Sequence, residues 1–320
     1  MNYRPLGNTG LRTPIMGMGT GGGPDPLGQA SGIPERDIHR LLHRAFDLGI
    51  TYFDTSPGYM DSEVILGKAL RALPREDVVV STKIPLAAAP PGEPIQVMTE
   101  KDITSAVDQS LRRLGMEYVD IMLIAVSDSR YFETVVQEQL PVLRKLVEAG
   151  KIRHLGSSEL SRSDGTHEWL QKLLPTGLLE VAMVAHNMIN QSAQKAVFPC
   201  CLEKNIGVMN VFTVRKVFGQ PGRLTEVLKD LIQRGLVDPE AVNVEQPLEF
   251  LLEEENADSL IECAYRYAAY TPGVTTVLNG ANSIPWLEEN CANILKGPLS
   301  EKSRDRLKAL FGQVAEPIGN

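Results

Sequence analysis

The feature that most constrains this chain is an alternation sustained over nearly its whole length. Eight short apolar runs read as strands: IMGMG, TYFD, DVVVSTK, VDIMLIA, IRHLGSS, EVAMVA, GVMNVF and TTVL. Between them stand stretches with apolar residues three and four apart, among them ERDIHRLLHRAFDLG, SEVILGKALRAL, KDITSAVDQSLRRLG, FETVVQEQLPVLRKLVEAG and GRLTEVLKDLIQRG. Those spacings are the signatures of buried strands and amphipathic helices. Eight strand–helix units without a linker predict a parallel (β/α)8 TIM barrel, a single domain over residues 1–320.

Around that frame, YRPLGNTGLRT reads as an N-terminal β-hairpin turning at Asn8-Thr9-Gly10, and SEKSRDRLKALFGQV as an extra C-terminal helix. Leu236–Asp258 breaks the rhythm as an acidic insertion, and the Ala/Pro-rich Leu86–Pro94 reads as a loop over one barrel end. A doubly wound sheet is the competing architecture, because Gly17-x-Gly19-x-x-Gly22 matches a dinucleotide fingerprint. That fingerprint must open directly into a helix, and GPDPLGQASG intervenes, so no helix N-terminus would meet the pyrophosphate.

A net charge of −8 without a basic stripe argues against nucleic acid and anionic membranes as partners. Cys200, Cys201, Cys263 and Cys291 lack the spacing of a metal site and read as reduced core thiols. The start, MNYRPLGNTG, has no apolar signal core, and no apolar run is long enough to span a bilayer. A cytoplasmic enzyme acting on a small molecule is the expectation.

In a barrel the chemistry lies at the C-terminal strand ends. The second run ends on Asp54, with Tyr59 in the following loop, and the third ends on Lys83 before Ile84-Pro85. Singly, each has a bland reading as a turn residue, loop packing or a solvated strand end. Together they form a proton-delivery set, since an ammonium beside a phenol favours the phenolate and a carboxylate holds the ammonium in place. Such a set suits reduction of a carbonyl, whose oxygen needs a proton. After the eighth run, Gly280-Ala-Asn282-Ser283 leads into IPWLEENCANIL, where Asn282 or Ser283 can cap a helix whose positive end suits a phosphate.

Over nearly its whole length the chain resembles the aldo-keto reductases, through YRPLGNTGL, FDTSPGYMDSE with its Asp-x4-Tyr spacing, STK, GKIRHLGSSELS and VTTVLNGANSIPWLEEN. The resemblance implies a (β/α)8 barrel, NADP(H) or less often NAD(H), and a tetrad of Asp, Tyr, Lys and His. Asp54, Tyr59 and Lys83 match it. At the fourth position Asp120-Ile-Met-Leu-Ile-Ala125 ends on alanine, which removes a hydrogen-bond donor to the carbonyl, a loss typically worth roughly 10²–10³ in rate. A water above Ala125 or the ring of His186 are the candidate substitutes, with His186 read as a structural histidine.

The resemblance further implies Ser158 and Glu159 near the nicotinamide amide, Glu289 and Asn290 near the adenine, and Gly19 and Thr20 near the inner cofactor end. Gly280, Asn282 and Ser283 would hold the phosphates, with Arg215 facing the diphosphate. The stacking position falls on Val211 or Phe212. Asn282, Trp286 and Met183 depart from the Arg, Gln and Gln frequent in related members. NADPH is weakly favoured, because the helix end attracts anions while Asn282 brings no charge.

The leading expectation is an NAD(P)H-dependent oxidoreductase interconverting an aldehyde, ketone or sugar with its alcohol. Ala125 motivates two others, a cofactor-retaining epimerase or lyase and a disabled nucleotide-binding protein. Neither substrate nor oligomeric state is legible in the loops Leu86–Glu100, Ser127–Phe132, Val214–Arg223 and Leu236–Asp258.

Overall fold

The computed structural model describes residues 1–21, 27, 32–88, 94–126, 128–159, 164–316 and 318. Gly22, residues 89–93 of the expected loop, Ser127 and residues 160–161 of the GKIRHLGSSELS stretch lie outside the described residues. The hairpin consists of β1 Tyr3–Pro5 and β2 Arg12–Pro14, paired antiparallel. The apolar runs become β3 Met16–Gly19, β4 Tyr52–Asp54, β5 Val79–Ala88, β7 Val119–Val126, β8 Ile152–Ser158, β9 Val181–Ala185, β10 Gly207–Val211 and β11 Thr276–Asn279. A short β6, Gln96–Val97, folds back antiparallel on the end of β5. All other pairings in this sheet are parallel, and β4 bonds both β3 and β5, so the sheet closes into a barrel. Closure excludes the doubly wound alternative.

Side chains alternate between two cores, as the period of a strand dictates. Tyr52, Val79, Ile121, Leu123, Val181 and Met209 fill the barrel, while Phe53, Val80, Met122, Ala182 and Val208 pack outward against helices. Each fully buried aliphatic side chain contributes roughly 1.5–3 kcal/mol. Leu6, fully buried between the hairpin strands, joins the barrel's inner layer. The hairpin therefore plugs the N-terminal end and leaves the opposite end for chemistry.

The helices follow their sequence signals. Glu100–Leu114 buries Ile103, Val107, Leu111 and Leu114, starts at a Thr99–Asp102 capping box and stops at left-handed Gly115. Such a cap contributes about 1 kcal/mol. Ile284–Leu295 and Glu301–Phe311 supply the extra C-terminal helices. The acidic insertion contains the helix Glu249–Glu255 and shares a second apolar cluster with the terminal helix, through Leu251, Leu307 and Phe311.

Two expectations need correction. The third run does not end on Lys83, because β5 continues to Ala88 through an irregularity in its register with β7 between Pro85 and Ala87. At such a bulge the missing proline N–H is tolerated. The expected continuous helix after Phe132 is interrupted by a π-helical segment, Val135–Gln139, before Leu140–Glu148 resumes. Pro141 lacks the N–H that a regular helix would need there, and a π-bulge accommodates it. All four cysteines are free thiols. Among the described residues no helix is long and apolar enough to cross a membrane.

Candidate active site

Asp54 ends β4 opposite Ser81 of β5, and both point inward by the same alternation that buries Tyr52 and Val79. Ser81 Oγ donates to Asp54 Oδ1 at 2.7 Å. Lys83, two residues along β5 on the same face, donates to Asp54 Oδ1 and Oδ2 at 2.9 and 2.7 Å and to the Thr55 carbonyl at 2.9 Å. Burial opposes its charge, but Asp54 and then Tyr59 outweigh that, and the Lys83 pKa is raised above its ordinary value. The ammonium is a fixed cation.

Tyr59 stands above it, with Lys83 Nζ 4.9 Å from the ring centroid. The turn that delivers it is over-determined. Ser56 O accepts from Tyr59 N at 3.0 Å, Ser56 Oγ accepts from Gly58 N at 3.1 Å, and Tyr59 O accepts from Ser62 N at 3.1 Å. The ring lies against the exit of β3, where a Cβ on Gly21 would fall 2.2 Å from Tyr59 Cδ2. Only glycine leaves room for the phenol in this position. Below Asp54, Tyr52 bonds Ser81 at 2.7 Å and also Met209 Sδ. Burial first, and then Asp54, push the Tyr52 pKa well up, so this second phenol stays neutral as a support.

Ala125 faces inward by parity with Ile121 and Leu123, between Pro85 of β5 and Ser158 of β8. It is half-buried and presents a methyl group with no donor. His186 does not replace it. That ring is fully buried beside Phe198 and Tyr267, bonds Asn190 O at 3.1 Å and Thr271 Oγ1 at 3.3 Å, and is held neutral by burial with a pKa of about 3. It is a structural histidine, as expected.

The remaining expected residues divide. Ser158 is half-buried at the rim, and among the described residues its hydroxyl makes long contacts, 3.4 Å to Glu159 O and 3.5 Å to Met183 Sδ. Glu159 turns away from the rim: its carboxylate accepts from Ala185 N at 2.6 Å and meets His167 Nδ1 at 2.6 Å. Thr20 is likewise engaged, donating to Asp54 O at 3.0 Å and bonding Ser62 Oγ at 2.5 Å, while Gly19 sits beside Asp54 in the β3–β4 ladder. Arg215 lies 4.2 Å over the ring of Phe212, and both adopt positive φ, a strained geometry for side-chain-bearing residues. Ser283 is the N-cap residue of Ile284–Leu295, but its side chain makes no capping bond. Gly280 is exposed with open space where a Cβ would stand. Glu289 is exposed, and Asn290 Nδ2 donates to Asn279 Oδ1 at 3.3 Å.

Sequence reasoning missed Ser81, Gly21 and the Glu159–His167 pair. Ser81 could have been found from its spacing, two residues before Lys83 on one strand face. Nothing local marks Gly21, whose neighbour Tyr59 is distant in sequence, and Glu159 and His167, eight residues apart, form no motif that names them as a pair.

A closed parallel barrel with its ionisable cluster at the C-terminal rim has the architecture of a barrel enzyme. The chain belongs to the aldo/keto reductase family, whose model matches residues 15–311. It is 30% identical over 326 residues to an L-galactose dehydrogenase of Arabidopsis thaliana, covering 100% of this chain and 96% of the relative. It is 33% identical over 222 residues to an NADH-specific methylglyoxal reductase of Escherichia coli (strain K12), covering 65% of this chain and 66% of that protein. The solved holo form of an aldo-keto reductase from Bacillus halodurans superposes with a TM-score of 0.72, at 23% identity, over 97% of this chain and 96% of that one. This last likeness concerns the fold.

The family is one of oxidoreductases that use nicotinamide cofactors, and the residues after β11 fit such a group. The open cradle at Gly280 and a helix start that no side chain caps together suit an anionic diphosphate.

Proposed function

We propose that the chain is a nicotinamide-dependent oxidoreductase that interconverts a small carbonyl compound and its alcohol, with Tyr59 as the proton donor and acceptor. The observation that carries this reading is Lys83, gripped by both oxygens of Asp54 and held 4.9 Å from the Tyr59 ring at the barrel mouth. When bound, the cofactor supplies or takes the hydride. Asp54 fixes the ammonium, and the ammonium stabilises negative charge that develops on the phenol as its proton moves to the substrate oxygen. Thr55 and Ser81 keep both partners from rotating. NADH and NADPH share the diphosphate that the helix start would hold.

The two relatives are named for a hexose and a three-carbon ketoaldehyde, so a small, oxygen-rich aldehyde or sugar is the substrate class we put forward. Ala125 favours a second reading, a cofactor-retaining epimerase or lyase, because no imidazole stands ready to polarise a carbonyl there.

The test is Tyr59→Phe, assayed with both cofactors on a panel of aldoses and short aldehydes. Loss of the general acid should lower kcat by roughly 10²–10⁴ while the dissociation constant of the cofactor stays nearly unchanged. A variant that retains most of its activity would show that another group moves the proton.

A further inference from the structure

We infer that the Ser158 hydroxyl donates the hydrogen bond that polarises the substrate oxygen, across the methyl group of Ala125. The inference rests on the proposed carbonyl–alcohol reading and deepens it, by naming the donor that neither Ala125 nor the fully buried His186 supplies. Register fixes the place of this hydroxyl. Pro85, Ala125, Ser158, Met183 and Met209 are successive partners across β5, β7, β8, β9 and β10. Ser157 turns its Oγ outward, where it accepts from Trp169 Nε1 at 2.8 Å, so the pleat turns Ser158 inward, against Met183 of the inner layer. Of the five side chains in that row, Ser158 alone can donate a hydrogen bond. Lys83, Leu123 and Gly156 form the inward row beneath. Ser158 therefore stands two residues, about 6–7 Å, beyond the level of Lys83, on the side where Tyr59 stands.

The bonds this hydroxyl makes are ones it can exchange. It is half-buried, and its contacts among the described residues are 3.4 Å to the neighbouring Glu159 O and 3.5 Å to Met183 Sδ. The first is long for an O–H···O bond and the second is to a weak acceptor, so a ligand oxygen at ordinary distance is the better partner. Neighbouring strands lie about 4.8 Å apart, so an oxygen held over the Ala125 methyl comes within reach of Ser158 Oγ. A long side chain at position 125 would stand between them. A hydroxyl also has lone pairs, so donation to the substrate leaves Ser158 able to accept from the nicotinamide amide that the resemblance places beside it. Tyr59 gives the proton that ends on the alcohol, and Ser158 keeps its own. Its hydrogen bond strengthens as charge develops on the substrate oxygen.

A double-mutant cycle tests this. Ser158→Ala, checked by thermal unfolding to be folded, should lower kcat for a short aldehyde at saturating cofactor by at least about tenfold, a conservative share of what one such donor supplies. The cofactor dissociation constant, from calorimetry, should move by less than about threefold. A packing role would give the same loss in any background, so the deciding measurement repeats Ser158→Ala in Ala125→His. With an imidazole as the alternative donor, the loss there should shrink to less than about threefold. Should the histidine variant not fold, Ser158→Thr decides instead, because restoring a hydroxyl should bring kcat back to within about threefold of the unmodified protein. Undiminished kcat in folded Ser158→Ala, a loss confined to cofactor affinity, an equal loss in both backgrounds, or no recovery in folded Ser158→Thr overturns the inference. If the unmodified protein turns over no carbonyl or alcohol with either cofactor, the parent reading fails and this one with it, an outcome seen before any variant is compared.

Discussion

Lys83 is gripped by both oxygens of Asp54 and by the Thr55 carbonyl. Its place beside Tyr59 is therefore set by the strands and not by the substrate. That makes Lys83→Met a poor probe of the chemistry, since it would strand Asp54, only 3% exposed, without its counter-ion. Breaking a buried pair in this way costs about 3–5 kcal/mol. Because the folded-state pKa of Lys83 is raised, its stabilisation is complete below the unfolded value of about 10.4 and is lost only as pH rises through the folded value. Ala125 is the better residue to change. A histidine there would project inward between Pro85 and Ser158 and could donate to a carbonyl oxygen as charge develops. Ala125→His should raise reduction of a simple aldehyde by at least about tenfold, a conservative share of what one such donor supplies. The gain should lie in kcat with cofactor binding little altered. If the ring reaches the Tyr59 hydroxyl in a crystal structure and no carbonyl is reduced faster, alanine belongs to a different native chemistry and the epimerase or lyase reading moves ahead.

At the scale of elements, the π-segment Val135–Gln139 has a definite task. It places Gln139, only 2% exposed, so that its amide donates to Leu86 O at 3.0 Å and Met98 O at 2.8 Å. Leu86 lies in β5 beyond Lys83 and Met98 just past β6, so the bulge ties these two strands together. Gln139→Leu should leave both acceptors without that partner and cost about 1–3 kcal/mol by denaturant unfolding. Its effect on KM should exceed its effect on kcat, because the clamp touches Leu86 and Met98 and not Tyr59; an unchanged unfolding free energy would remove the clamp from the account. Elements such as this mark where the sequence stops being legible. The eight strands could be read because each apolar run repeats one local pattern, and the meeting of Asp54, Tyr59 and Lys83 because neighbouring strand runs carry them, although β5 continues past Lys83. The extension of β5 past Pro85 depended on its neighbour β7, and the engagement of Glu159 with His167 on a histidine in the next connection. Local propensity carries neither fact.

At the scale of the whole molecule, the barrel separates stability from chemistry by its two ends. The rim holds Asp54, Lys83 and Tyr59, whereas the N-terminal end is closed by the hairpin, with Leu6 fully buried against the first residue of β10. A Cβ on Gly207 would stand 2.6 Å from Leu6 Cδ1, so the plug fits without slack. Leu6→Ala should leave a cavity that the rigid strands cannot collapse around, at a cost of about 2–5 kcal/mol in unfolding free energy. The Lys83–Asp54 pair lies farther along the same strands and touches none of the removed atoms. Below the midpoint of its own unfolding transition the variant should therefore keep kcat and KM within about twofold of the parent, since distant sites with no shared partners act nearly independently. Denaturant titration and steady-state kinetics on the same preparation decide the matter. A fall in kcat in the fully folded variant would mean that the inner layer through Tyr52 and Met209 transmits strain from the plug to Asp54. The two ends of the barrel would then be coupled through its core.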